Sequence, residues 1–153
     1  ERLGVMSHRE CQILLETRLE QHVKWTEIEM GVMRSMALEG VLPALGRAIR
    51  SEGETLRALV ALGLQDMGGL SVSMGSALCA ARSQVGSGLA ELEGALVKLK
   101  EKSAAGDLLE ACQFCQECAH VLGSLREAVD RGEELCPEGD WIYPRYRELL
   151  SLG

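Results

Sequence analysis

Three cysteines follow one another as Cys112-x-x-Cys115-x-x-Cys118, with His120 just beyond and Cys136-Pro137 further on. Thiolates at this spacing hold zinc or an iron–sulfur cluster when a loop lets them converge. The fourth position of a ferredoxin-type run falls on Leu122, which cannot ligate. The flanking residues keep helical spacing, and on a straight helix the three thiols fan across about 120°. The competing expectation is that Cys112 and Cys115 are small apolar members of a buried stripe, with Cys118 at its edge. Glu27 and Glu29 resemble a metal-binding pair on paper, yet two residues apart on a helix they point about 160° from each other. A hard cation needs several convergent oxygens, so the residues give no carboxylate site. His8, His22 and His120 lack the context that would activate a Cys–His nucleophile. Gly68-Gly69 and Gly86-Ser87-Gly88 have no preceding strand and no downstream Gly-Lys-Ser/Thr, so neither reads as a phosphate loop. The sequence therefore predicts no catalytic residue and no bound cofactor or metal in this chain.

The residues with the most distinctive surroundings lie on a long helical stretch opening at Ser7 and running past Pro43. Ser7 and Glu10 stand at capping-box spacing, and Met6 and Cys11 stand where a hydrophobic staple would close. At 100° per residue, Cys11, Leu14, Leu15, Leu19, Val23, Trp25, Met30, Val32, Met33, Met36, Ala37 and Val41 share one half of the cylinder. Arg18, His22 and Glu29 fall inside this apolar arc. They are expected either to meet a neighbouring domain or to pair with other helices, with Arg126 and Asp130 as partners. The arc is wider than the stripe of a little over about 100° that one bundle core requires. Its margin, with Leu14, Trp25 and Val32, is expected to drive self-association unless the third and fourth helices flank both margins and leave nothing exposed.

Composition narrows the field. The chain has 153 residues, 46% hydrophobic and 25% charged, which suits one globular domain, 1–153. Only five residues are aromatic, three of them between Trp141 and Tyr146, so the core must be built of Leu, Ala, Val and Met. That favours packed helices over a β-sandwich. A net charge of −7 argues against nucleic acid or an acidic membrane surface. The longest apolar run, Ala58 to Leu64, is far short of the roughly 20 residues of a membrane span. Six clustered cysteines make a poor disulfide scaffold, which points to reduced thiols and a cytoplasmic setting. The chain begins at Glu1 rather than Met, as a piece of something longer would.

Beyond Pro43, the residues Ser51-Glu52-Gly53-Glu54 offer a second capping box, predicted to open a short helix through Leu64. Gly68-Gly69 marks a break, and a third segment runs from about Leu70 to Lys102 with Gly75, Gly86, Gly88 and Gly94 inside it. Asp107 is predicted to cap a further helix reaching about Glu134, with Leu108, Cys112, Cys115, Ala119, Leu122, Leu125 and Val129 as its stripe. Pro144 then suits the first turn of a short C-terminal helix bearing Tyr146, Leu149 and Leu150. No stretch alternates long enough to be a strand. The expected fold is all-α, an antiparallel bundle of three to four long segments with that short C-terminal helix.

Two separated signatures carry a resemblance. Ile28-Glu29-Met30 and Val41-Leu42-Pro43-Ala44 lie in the first stretch. Leu125-Arg126 with Asp130, and Trp141-Ile142-Tyr143-Pro144-Arg145-Tyr146 with Leu149-Leu150, lie near the end. Together they resemble the C-terminal helical region of type III glutamine synthetases. That family carries I-E-A and I-L-P-A elements, then L-R-x-x-x-D and a W-P-x-P-T-Y-x-D-L-L-like tail. Met30, Ile142, Arg145 and Glu148 depart from the pattern, and residues 46 to 106 match only as generic helix. The resemblance implies a parent enzyme that ligates ammonia to glutamate with ATP and Mg or Mn, all held upstream of this chain. This chain would then be its structural and assembly region, with the catalytic domain and neighbouring subunits of a homo-oligomer as partners. The interface or buried polar candidates are Arg18, His22, Trp25, Glu29, Arg126, Trp141 and Tyr146. Two other expectations stand beside it: a free-standing bundle binding metal through Cys112, Cys115 and Cys118, and an adaptor that presents its apolar helix face to a protein partner.

Overall fold

The computed structural model describes residues 7–145 and 148, and among these it contains helices and no strands. The first helix, α1 (His8–Met36), opens with the full capping box: Ser7 Oγ accepts from the Glu10 amide, and the Ser7 amide donates to Glu10 Oε2 at 2.7 Å. These bonds hold the Glu10 carboxyl below its usual range. The staple between Met6 and Cys11 lies outside the described residues.

A π turn, Ala37–Val41, joins α1 directly to α2 (Leu42–Ala61). Pro43 explains it. Its ring crowds the carbonyl four residues back, and it has no amide to give to that carbonyl. Widening the preceding turn, with the Leu42 amide bonding to Ala37 O, lets the chain pass the proline without breaking. The predicted boundary at Ser51 is therefore corrected. Ser51 lies inside α2, where its carbonyl accepts from Thr55 Oγ1 at 3.0 Å, and no new helix starts there. Gly53 costs helix propensity, but continuity needs no cap.

The chain leaves α2 through Gly63, whose φ of 70° suits glycine, and a 3-10 turn at Gln65–Gly68. It returns along α3 (Gly69–Ala104), reverses at Gly106 (φ 84°), and runs forward in α4 (Leu108–Leu135). Asp107 caps α4 by accepting from the Glu110 amide at 2.9 Å. Lys102, in the last turn of α3, pairs with Glu110 and lies 5.6 Å from the Phe114 ring centre, tying the two helix ends together. α3 packs on α1, α2 and α4, so it is the central rod of an antiparallel bundle.

The core is aliphatic and sulfur-rich, as the scarcity of aromatics requires. Met30, Leu45, Leu78, Leu92, Leu99 and Leu125 are its largest fully buried side chains. Two glycines admit close contact: a Cβ at Gly88 would stand 3.2 Å from Leu125 Cδ1, and one at Gly132 would stand 3.3 Å from Leu45 Cδ1. Of the other α3 glycines, Gly69, Gly86 and Gly94 face open space, while a Cβ at Gly75 would stand 3.8 Å from Glu52 Cβ of α2, an ordinary contact. No helix among the described residues is long and apolar enough to cross a membrane.

Candidate functional site

The cysteine run lies wholly within α4. Cys115 and Cys118 are buried, Cys112 is half-buried, and Cys115 Sγ donates to Ala111 O at 3.4 Å. Burial pushes the Cys115 thiol up, and it pushes Cys118 up to about 11. Burial thus disfavours, at both positions, the thiolate that would attack an electrophile. Among the described residues no three His, Cys, Asp or Glu side chains converge on a metal position. One detail of the stripe is corrected: Cys118 is fully buried at its centre, while Ala119 is exposed. The buried row of α4 runs through Ala111, Cys115, Cys118, Leu125 and Ala128, the row that faces the core.

The first helix is also divided differently from the predicted arc. Its buried row is Val23, Thr26, Met30 and Ala37, whereas Trp25, Ile28, Val32 and Met36 are exposed, Trp25 by 67%. Arg18, His22 and Glu29 are exposed too, so none is a buried polar group. The reason is geometric. A half-cylinder arc is wider than the space α3 and α4 enclose, and the inner row alone fills it.

What the bundle leaves is a groove of about 490 Å³ along one side of α1. Trp25, Ile28, Glu29, Val32 and Met36 form one wall, and Leu122, Gly123 and Arg126 of α4 form the other. Continuous with it through Met33, Met36 and Arg126 is a second hollow of about 350 Å³, bounded by Val41, Asp130, Trp141, Tyr143 and Pro144. Sequence reasoning placed Ile28 among the motif residues and missed it as an exposed apolar side chain.

The tail closes the second hollow. Trp141 is buried against the bundle and meets Tyr143 edge to face, ring centres 6.4 Å apart. The Tyr143 hydroxyl donates to Met36 O at 3.1 Å, at the start of the π turn. Its ring lies over Gly40, where an added Cβ would collide with it. Arg47 reaches from α2 to the tail, donating to Asp140 O at 2.7 Å and lying 3.4 Å from Asp140 Oδ1. Arg145 Nη2 donates to Cys136 O at 2.6 Å, while Arg145 Nε and the Trp141 indole N–H are buried without a partner. Ring packing and these hydrogen bonds together hold the segment to α1 and α2. Tyr146 and most of the predicted C-terminal helix lie outside the described residues.

Compared with protein-family models, with curated proteins and with solved structures, the chain matches none.

Proposed function

We propose that this chain is a non-catalytic assembly domain: the C-terminal helical region of a type III glutamine synthetase, whose ATP, metal and substrate sites lie in an upstream domain. One observation carries the reading. The sequence elements behind the resemblance are far apart in the chain, yet all four line the two joined hollows. Ile28 and Glu29 form a wall of the groove with Arg126. Val41, Arg126, Asp130, Trp141, Tyr143 and Pro144 bound the adjoining hollow. The tail tyrosine also bonds to the turn that precedes the Leu-Pro-Ala element. Four motifs that meet around one feature form one structural unit, as a shared ancestry with that region requires. The upstream catalytic domain and neighbouring subunits are the partners this reading supplies.

The test is genetic and then enzymatic. The reading frame upstream of Glu1 should encode a β-sheet domain with convergent carboxylates. The longer protein should form glutamine from glutamate, ammonia and ATP, and the 153-residue chain alone should form none. An upstream frame without such a domain, or an extended protein without the ligase reaction, overturns the assignment.

A further inference from the structure

The outer side of α1 carries a complete row of its own. Leu14, Arg18, Gln21, Trp25, Ile28 and Val32 alternate at spacings of four and three, the period of a coiled-coil seam. Every one of them is exposed. The row has two unlike halves. From Trp25 onward it forms the wall of the α1–α4 groove. Before Val23 nothing in α1 is buried, so Ser7 to His22 stands out from the bundle as a capped helix end with Leu14 and Leu15 exposed. Four turns of helix without tertiary cover are marginal in water.

We propose that a second copy of this chain lies antiparallel across the row, so that the projecting halves cross at their centres and Ser7 to Leu14 of each α1 lies along the Trp25–Val32 wall of the other's α1–α4 groove. Three observations select this occupant. The first is length. The projecting half, about 24 Å long at 1.5 Å per residue, is long enough to cross its partner's and still lay the roughly 11 Å from Ser7 to Leu14 along Trp25 to Val32. The second is charge. A parallel pair would set Arg18 against its own copy, whereas an antiparallel pair centred between Arg18 and Gln21 sets guanidinium against amide and Leu14 against Trp25. The polar centre with apolar flanks thus fixes both direction and register. The third is area. The exposed apolar side chains of the row, with Leu15 and Met36, offer roughly 600 Å² per chain, against roughly 800 Å² of total surface per partner in a stable complex. Because each copy gives one projecting end and one groove, the two-fold pair closes on itself and does not propagate.

This proposal rests on the exposed row and is independent of the glutamine synthetase reading. Sedimentation equilibrium of the 153-residue chain over a roughly hundredfold concentration range should show a monomer–dimer equilibrium. Trp25→Glu and Leu14→Glu alter exposed residues, so each should keep the native circular dichroism while weakening the dimer by at least about a hundredfold. Direction is read by cross-linking in a Cys11→Ser, Cys79→Ser background. A Leu14→Cys chain mixed with a Trp25→Cys chain should yield the disulfide-linked heterodimer, and neither alone should yield a homodimer. A monomer at every concentration overturns the proposal, as does association that survives both glutamate substitutions. Homodimer disulfides from Leu14→Cys alone would show a parallel pair and overturn it equally.

Discussion

Two rows of side chains run along α1, on opposite sides of the same cylinder. Val23, Thr26, Met30 and Ala37 are all buried, while Trp25, Ile28 and Val32 are all more than half exposed. Both rows keep heptad spacing and both are largely apolar. Neither hydrophobicity nor periodicity distinguishes them. The difference is set by the partner helices: α3 and α4 pack on the inner side only, and Thr26 tolerates burial because its hydroxyl bonds to His22 O at 3.1 Å. An apolar row thus reports that a helix has a neighbour without saying whether that neighbour belongs to the same chain.

The sharpest way to break the comparison is to place one charge in each row. Met30→Glu puts an unpaired carboxylate where exposure is 0%, and the loss should exceed about 4 kcal/mol, enough to unfold a marginal domain. Ile28→Glu, two residues earlier, should change the unfolding free energy of the monomer by no more than about 0.5 kcal/mol. Denaturant titration at low protein concentration measures both, and equal effects would mean that the outer row is packed within the chain.

The tail gives a milder contrast, because it supplies a floor for α1 at Met36 to Val41 that the outer row lacks further up. Trp141→Ala should cost about 3–5 kcal/mol, the usual penalty for deleting a buried aromatic. Gly40→Ala forces the Tyr143 ring off the π turn and should cost about 1–3 kcal/mol by overpacking, against no loss for Gly31→Ala, where a Cβ meets nothing.

Thiol chemistry should give the smallest effect. Cys11 is exposed near the start of α1, and Cys115 and Cys118 lie in the core opposite the inner row. Iodoacetamide near pH 8 should therefore alkylate Cys11 and Cys79 at once, and Cys115 and Cys118 only as the fold opens. Burial holds the Cys118 thiol protonated up to about 11, against 9.0 for a free thiol. Between those values the unfolded chain releases a proton that the folded chain retains. The contribution of this thiol is thus intact below pH 9 and should be lost as pH rises toward about 11, so Cys118→Ala should flatten the decline in part, the buried Cys115 and Cys136 thiols supplying the rest. A pH–stability curve of unchanged slope in Cys118→Ala would show that this thiol is not desolvated.

Much of the architecture was legible in particular residues. Ser7 with Glu10, Asp107, and the breaks around Gly68 and Gly106 stand where helix ends form, because caps and the left-handed Gly106 are local chemistry; the other left-handed glycine, Gly63, lay inside an apolar run and announced nothing. Ser51 misled for the same reason: its spacing to Glu54 satisfies the capping pattern, but a cap matters only where a helix ends, and packing on α3 carries α2 straight through. The π turn left no signal except Pro43, which is equally compatible with a kink or a stop. Arg18, His22 and Glu29 lay in an apolar arc and still proved exposed, since an arc drawn on one helix cannot reveal how much of it the neighbours enclose. Cys118 went the other way, buried because the stripe of α4 is centred on it rather than beside it. The groove itself was only half legible: Trp25 and Val32 marked its wall, whereas Gly123 has no side chain to announce that α4 leaves space there.

The widened turn at Ala37–Val41 also takes up a spare residue between two halves of one rod. A π turn holds about one residue more than the α turn it replaces, and each residue advances a helix by about 100°. Because the extra residue is taken up inside one full turn, α2 keeps the facing it would have if that residue were absent. In the present setting Leu45 and Ala48 meet the bundle just as Met30 and Ala37 do. Losing a single residue inside the turn, such as the partly exposed Leu38, would therefore restore regular winding and leave Leu45 facing Gly132. Losing one from the regular helix on either side would swing Leu45 away by about 100°, so the turn is the one place on this rod where a residue can be lost without turning α2.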